Sequence, residues 1–276
     1  MLEIPEAIVI SRQLDQTVKG KRIKEVITEA SPHKFAWFFG DPSTYDTLLT
    51  GRRIEGGFAY GGRVELPVED AVLHFGDGIN LRYYKAGEKR PAKHQLSVAF
   101  DDGSALIATV AMYGMLMAYP ADTKMDDDSY YTAAREAVSP LSDAFDYPYF
   151  QTLFDDKGLK MSAKAFLAME QRIPGLGNGV LQDILLNARI HPKKKMNTLS
   201  EEQRRVLFES LKSTLAEMTD SGGRDTERDL FGNLGGYQTK LSKNNKLLIC
   251  PDCGGGVKKE SYMGGSIYYC EQCQER

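Results

Sequence analysis

Along the chain, apolar and polar positions alternate first at a helical spacing, then at a strand spacing, then at a helical spacing again. "PEAIVISRQLDQTVKG" carries apolar residues at Ile8, Val9, Leu14 and Val18. Pro5 suits a first helical turn, Glu6 lies by the positive end of the helix dipole, and Gly20 is a natural stop, so residues 5–20 predict a helix. From Arg52 the texture changes to short runs, "RRIEGGFAYGGRVELPV", "AVLHFG" and "GINLRYYKAG", separated by Gly, Pro or Asp. "HQLSVAFDDGSALIATVAMYG" sets Asp-Asp-Gly between two apolar runs, a hairpin signal. Residues 52–119 therefore read as antiparallel sheet, arranged as a sandwich. The polar, turn-rich "DDDSYYTAAREAVSPLSDAFDYPY" marks a domain boundary, and helical segments follow around 148–156, 162–170, 178–188 and 199–219. The pattern predicts an α+β chain with its sheet first and its helices second.

Composition changes this picture little. The 276 residues are 42% hydrophobic and 26% charged, ordinary for a globular protein of one large or two smaller domains. Charges interrupt every apolar run before the roughly 20 residues of a membrane span, and Glu3 and Glu6 precede any signal-like apolar stretch. The expectation is a cytoplasmic, nucleoid-associated monomer without a membrane partner. The net charge of −3 argues mildly against a nucleic-acid partner, and the basic character is local: −5 over residues 1–192 and +2 over 193–276.

Two short stretches carry chemistry. The cysteines Cys250, Cys253, Cys270 and Cys273 form two C-x2-C pairs separated by 16 residues, in "CPDCGGGVKKESYMGGSIYYCEQC". That spacing suits four thiolates around one tetrahedral, structural zinc ion per chain; two disulfides or unpaired thiols are the alternative. Such a β-tongue grips nucleic acid in some proteins and binds protein in others. In "MEQRIPGLGNGVLQDILLNARIHP", Gly175 and Gly177 allow close backbone approach and Asn178 opens a helix whose free amides make a phosphate site. A plain packing joint between two helices would have the same look.

Taken together, the motifs resemble the Fpg/Nei family of formamidopyrimidine-DNA glycosylases and endonuclease VIII relatives. "MLEIPEA" is similar to the family's amino-terminal M-P-E-L-P-E, and "SPLSDAF" to its boundary P-L-S-D-x-F. "EQRIPGLGNGVLQDILLNARIHP" resembles its helix-two-turn-helix signature, and "GGRDTERDLFGNLGGYQ" the run into its zinc finger. The resemblance implies a β-sandwich domain flanked by helices (residues 1–135), a helix-two-turn-helix domain (136–240) and a four-cysteine zinc finger (241–276). Damaged or abasic DNA would lie in the cleft between them. It also implies that Asn178 and Gly177 hold a phosphate near the lesion, that Lys160 and Lys164 approach the DNA backbone, and that His94 makes a further phosphate contact. Glu3 matches the acid that protonates the sugar ring.

Several family landmarks are replaced. Bifunctional members attack the sugar C1′ with the secondary amine of a mature amino-terminal proline, giving a Schiff base. Position 2 is Leu2, too large for methionine removal, which leaves the Met1 amine as the only candidate nucleophile, one residue out of place. The strand lysine maps to Gly62, beside Arg63; the void-filling methionine maps to Asp77. The wedge arginine maps to Ala111, with Tyr113 nearby, and the finger arginine maps to Gly265. Three readings follow: a DNA-binding protein that has lost the family's lyase chemistry, a glycosylase with hydrolytic Glu3-dependent or Met1-amine chemistry, and a scaffold for a non-DNA partner.

Overall fold

The computed structural model describes residues 2–125 and 129–275. Helix α1 (Ile4–Val18) forms as the apolar spacing predicts, with Pro5 in its first turn and Gly20 at φ +78° behind its end. Its two sides serve two cores. Leu2, Ala7, Ile10 and Leu14 enter the core of the sheet domain, whereas Ile4 enters the core of the helical domain.

The sheet domain is one hydrogen-bonded sheet folded over on itself. Its strands are β1 (Ile23–Thr28), β2 (Ala36–Trp37), β3 (Phe58–Tyr60), β4 (Arg63–Val68), β5 (Ala71–Tyr84), β6 (Leu96–Phe100) and β7 (Ala105–Pro120), with helix α2 (Tyr45–Leu49) between β2 and β3. The order is β1-β6-β7-β5-β4-β3, and β2 adds to β7 in parallel. Asp101-Asp102-Gly103 turns β6 into β7, as the sequence predicts. The long strands β5 and β7 pair along their length except at a bulge between Asp77 and Ile79. Bulges bend and twist a strand pair, and this one divides the sheet into two halves. The isolated bridges Arg22↔Arg53 and Ile54↔Val68 carry the pairing back from β4 to the start of β1. Val64, Leu66, Phe75, Leu81, Val98 and Phe100 fill the enclosed core. The expected sandwich is thus a single sheet wrapped round one core, and β1, β2 and α2 extend it amino-terminal of Arg52.

After α3 (Ser129–Glu136) come α4 (Tyr147–Thr152), α5 (Asp156–Leu159), α6 (Ala163–Ala168), α7 (Asn178–Asn187) and α8 (Glu201–Asp220). The expected segment 148–156 is two short helices because Asp155 caps α5 through Gly158 N, ending the first run. Ser200 and Gln203 form a capping box that starts α8. Phe150, Phe166, Ile184, Leu211 and Leu215 form the second core. The chain closes with hairpin β8 (Val257–Tyr262) and β9 (Gly265–Cys270), turned by Met263 and Gly264, both at positive φ.

The two domains meet backbone to backbone. Ile4 N donates to Gly175 O at 3.0 Å across the boundary, while within the sheet domain Leu2 N donates to Asp77 O at 2.8 Å. Gly175 has φ +79°, and a Cβ there would fall on the Gly61–Gly62 peptide; a Cβ on Gly62 would lie 2.8 Å from Leu2 O. Gly175→Ala meets both a disfavoured φ and a backbone clash, so it should lower unfolding free energy by at least about 2 kcal/mol. Gly256→Ala, which meets nothing within 4 Å, serves as its control. Equal urea midpoints for the two variants would contradict this packing.

Candidate functional site

Glu3 is the amino-terminal cap residue of α1, and its buried side chain crosses to the start of α7. Gly179 N donates to Oε1 at 2.9 Å and Val180 N to Oε2 at 2.8 Å. A carboxylate on the free amides of a helix start is favoured by both hydrogen bonding and the helix dipole. Arg224, also buried, lies 3.3 Å from Glu3 Oε2 and makes a two-pronged contact with Glu6, Nε to Oε1 at 2.9 Å and Nη2 to Oε2 at 2.7 Å. A Cβ on Gly177 would lie 2.5 Å from Glu3 Cδ, and one on Gly179 would overlap the Arg224 guanidinium. Both glycines are therefore required by the Glu3–Arg224 contact. Burial pushes the Glu3 carboxyl up, against the pull of Arg224; Arg224 itself lies above its ordinary value because Glu3 and Glu6 outweigh the cost of its burial.

Beside this knot, α7 carries the β8–β9 hairpin. Asn178 Nδ2 donates to Ser266 O at 2.7 Å, and Gln182, one turn on, donates to the same carbonyl and accepts from Tyr268 N. Lys164 Nζ donates to Tyr262 O at 2.6 Å, and burial lowers its pKa. The Cβ that Gly265 lacks would lie 3.3 Å from Lys164 Nζ and 3.5 Å from the Asn178 amide. The buried Asn178 Oδ1 has no hydrogen-bond partner among the described residues.

The fold therefore gathers Glu3, Gly177, Asn178 and Lys164 at one junction, with Leu2 and Gly62 on its sheet side and Gly265 on its hairpin side. Leu2's side chain is in the sheet core. Lys160 stands apart, exposed at the carboxyl end of α5. His94 is in the β5–β6 connection, its Nδ1 3.2 Å from Pro91 O and its backbone carbonyl accepting from Ser31 N. Met1 lies outside the described residues. Ala111, Met112 and Tyr113 form an exposed edge of β7 opposite the bulge. Tyr113 joins Gly78, Arg82, Thr226 and Lys243 around an open pocket of about 410 Å³. Arg224 and Gln182 are neighbours of this junction that the sequence does not single out. Their only signals are the position of Arg224 in "GGRDTERDL" and the four-residue step from Asn178 to Gln182.

The four cysteines converge as their spacing predicts. All four Sγ atoms lie within 4.8 Å of one another, with Cys250–Cys273 at 3.8 Å and Cys253–Cys270 at 3.5 Å. These separations exceed a disulfide bond and approach the roughly 3.8 Å expected between sulfurs 2.3 Å from one tetrahedral ion. The group could hold a metal ion.

Residues 137–228 match the family model described as the formamidopyrimidine-DNA glycosylase H2TH domain. Over 289 aligned positions the chain is 30% identical to a formamidopyrimidine-DNA glycosylase of Lactobacillus delbrueckii subsp. bulgaricus, with both chains covered in full. It is 29% identical to that of Thermus thermophilus, covering 99% of this chain and 98% of the relative. Among solved structures, the MutM (Fpg) protein of Thermus thermophilus superposes with a TM-score of 0.79 at 24% identity, over 99% of this chain and 98% of that one. A Lactococcus lactis Fpg in complex with an abasic site containing DNA gives 0.80 at 23% identity, over 99% and 100%. No helix among the described residues is long and apolar enough to cross a membrane.

Because Arg224 is the one cation shared by Glu3 and Glu6 in this knot, Arg224→Met should leave two buried carboxylates without their partner. The expected cost is about 3–5 kcal/mol in urea unfolding, and Glu3→Gln in the same background should recover part of it. A cost below about 1 kcal/mol would show that the knot is solvated.

Proposed function

Because the chain belongs to the formamidopyrimidine-DNA glycosylase (Fpg/Nei) family, we propose that it binds damaged or abasic DNA in the cleft beside Glu3 and Asn178, without the family's Schiff-base lyase chemistry. The observation that carries this reading is the position of Leu2. A Schiff base needs a neutral amine within bonding distance of the sugar C1′. With Met1 in place, the nitrogen of residue 2 is a peptide amide donating to Asp77 O, and its side chain is in the sheet core. An amine on Met1 is displaced by one residue, nearly 4 Å along the chain, where about 1 Å of misplacement already costs roughly a hundredfold. Gly62, Ala111 and Gly265 carry no side chain that could replace the lysine or the two arginines.

The cleft retains a phosphate-binding character. Lys164 Nζ lies 3.3 Å from where a Gly265 Cβ would stand, beside the amino-terminal turn of α7 that Asn178 opens, and Lys160 adds an exposed charge at a distance. In this reading residues 1–135, 136–240 and 241–276 are the sheet domain, the helix-two-turn-helix domain and the finger. A second reading, base removal by hydrolysis, rests on Glu3: burial raises its pKa, which favours a carboxyl able to hold and pass a proton.

We further assign one structural zinc ion to Cys250, Cys253, Cys270 and Cys273. With all four positions taken by thiolates, such an ion has no open site and supports the hairpin rather than chemistry. Metal analysis after mild chelator washing should give about one equivalent of zinc per chain. Less than half an equivalent, with free thiols, would remove the ion from this account. Stripping it should loosen β8–β9 and leave the sheet domain folded.

The lyase question is decided on an abasic-site duplex at low salt. The wild type should bind, with affinity falling as salt rises, yet give no borohydride-stable adduct and little strand cleavage. Leu2→Pro, which permits methionine removal, should gain trapping but little cleavage. An adduct through Met1 at the rate of proline-bearing relatives would overturn the lost-lyase reading, and absence of any binding would overturn the DNA reading.

A further inference from the structure

The departures from the family place no long side chain at Ala111, yet the fold brings two aromatic residues to that edge from elsewhere. Strand β2 pairs in parallel with β7, Ala36 opposite Gly114 and Trp37 opposite Met115, and Gly114 N donates to Phe35 O at 3.0 Å. In this register Phe35 and Trp37 share a face with Tyr113 and Met115, because side chains alternate along each strand. Large apolar side chains there are open to solvent: Phe35 is 47% exposed, Trp37 59% and Tyr113 42%. Core side chains do not behave this way, and an exposed ridge of aromatic rings marks an interaction surface.

The ridge runs into the junction described above. Met115 is opposite Gly76 on β5, and Gly76 is opposite Arg63 on β4. The Cβ that Gly76 lacks would lie 3.5 Å from Met115 Sδ and 3.6 Å from Arg63 Cγ. A row Trp37–Met115–Gly76–Arg63 therefore crosses four strands and ends one residue from Gly62, which abuts Leu2. Tyr113 reaches the ≈ 410 Å³ pocket from the other side. Cations stand at both ends: Lys34, with Nζ 5.3 Å from the Phe35 ring, and Arg63. Exposed rings with flanking cations suit a base with its phosphate better than an apolar protein surface, since bases stack on aromatic faces whatever their sequence.

We propose that Phe35 and Trp37, with Tyr113, form a stacking platform for an unpaired nucleobase of the strand bound in the cleft. The platform rests on the DNA-binding reading above. It gives the chain a preference for strands with exposed bases over fully paired duplex, a preference that needs little phosphate neutralisation.

Trp37 is the single tryptophan of the chain, so its emission reports on the platform directly. Titration with oligothymidylate should quench that emission in step with binding measured by anisotropy of the labelled oligonucleotide. Trp37→Ala and Phe35→Ala should each weaken oligothymidylate binding about tenfold and change fully paired duplex binding by less than about twofold; Trp37→Phe should keep the affinity. Oligothymidylate binding with unmoved emission, or with Trp37→Ala equal to wild type, overturns the platform and leaves the DNA reading standing. If neither oligothymidylate nor the abasic duplex binds, the DNA reading fails and takes the platform with it.

Discussion

The structure depends on a buried carboxylate that belongs to one domain and is satisfied by the other. Glu3 begins α1, yet its oxygens accept the first free amides of α7, and Arg224 from beyond α8 neutralises it together with Glu6. Buried charge is tolerated only where partners and hydrogen bonds replace water, and here two amides of α7 and the Arg224 guanidinium do so. The cost is met by shape. Gly177 and Gly179 leave room for the carboxylate and guanidinium, while Gly61, Gly62 and Gly175 let the two backbones touch. A side chain at any of these five positions would move Glu3, α7, or both, and the hairpin seated on Asn178 and Gln182 would move with them.

How far this was readable from sequence varies with the range of the interaction. Helix α1, the β6–β7 hairpin and the helices of the second half are encoded by local periodicity and turn residues, and the structure has them. The cysteine cluster is legible because two chelating C-x2-C pairs at this spacing can close on one ion, and the intervening hairpin brings them together. Strands β1 and β2 are not legible. "IKEVIT" is short and half polar, and β2 is two residues long, defined by its pairing with β7 rather than by its own composition. Asn178 is readable as the start of a helix, but its amide's contact with Ser266, 88 residues away, is not. Arg224 sits among charged residues in a turn-rich run, and nothing local says that it is buried.

At the positions where the resemblance reads the family's lysine and arginines as replaced, the chain carries glycine or alanine: Gly62, Ala111 and Gly265. Such replacements remove a side chain without disturbing the backbone, so the scaffold persists around the missing groups. A Cβ at 62 would lie 2.8 Å from Leu2 O, and one at 265 would lie 3.3 Å from Lys164 Nζ. Lys164 at the same time donates to Tyr262 O, so its charge is committed to the hairpin joint as much as to any ligand.

The overall charge bears on what the cleft can hold. Duplex binding by phosphate neutralisation draws on several cations on one face, and a net charge of −3 with Asp77 at the bulge works against it. Stacking asks for something different. It depends on ring area and on a base already free of its partner, and it loses little in an acidic setting because the ring face carries no charge. A surface carrying Phe35, Trp37 and Tyr113 at one edge is therefore suited to a strand whose bases are unpaired before the protein arrives. For such a strand the cost of extruding a base is met by the lesion itself, since the base is already out of its pair.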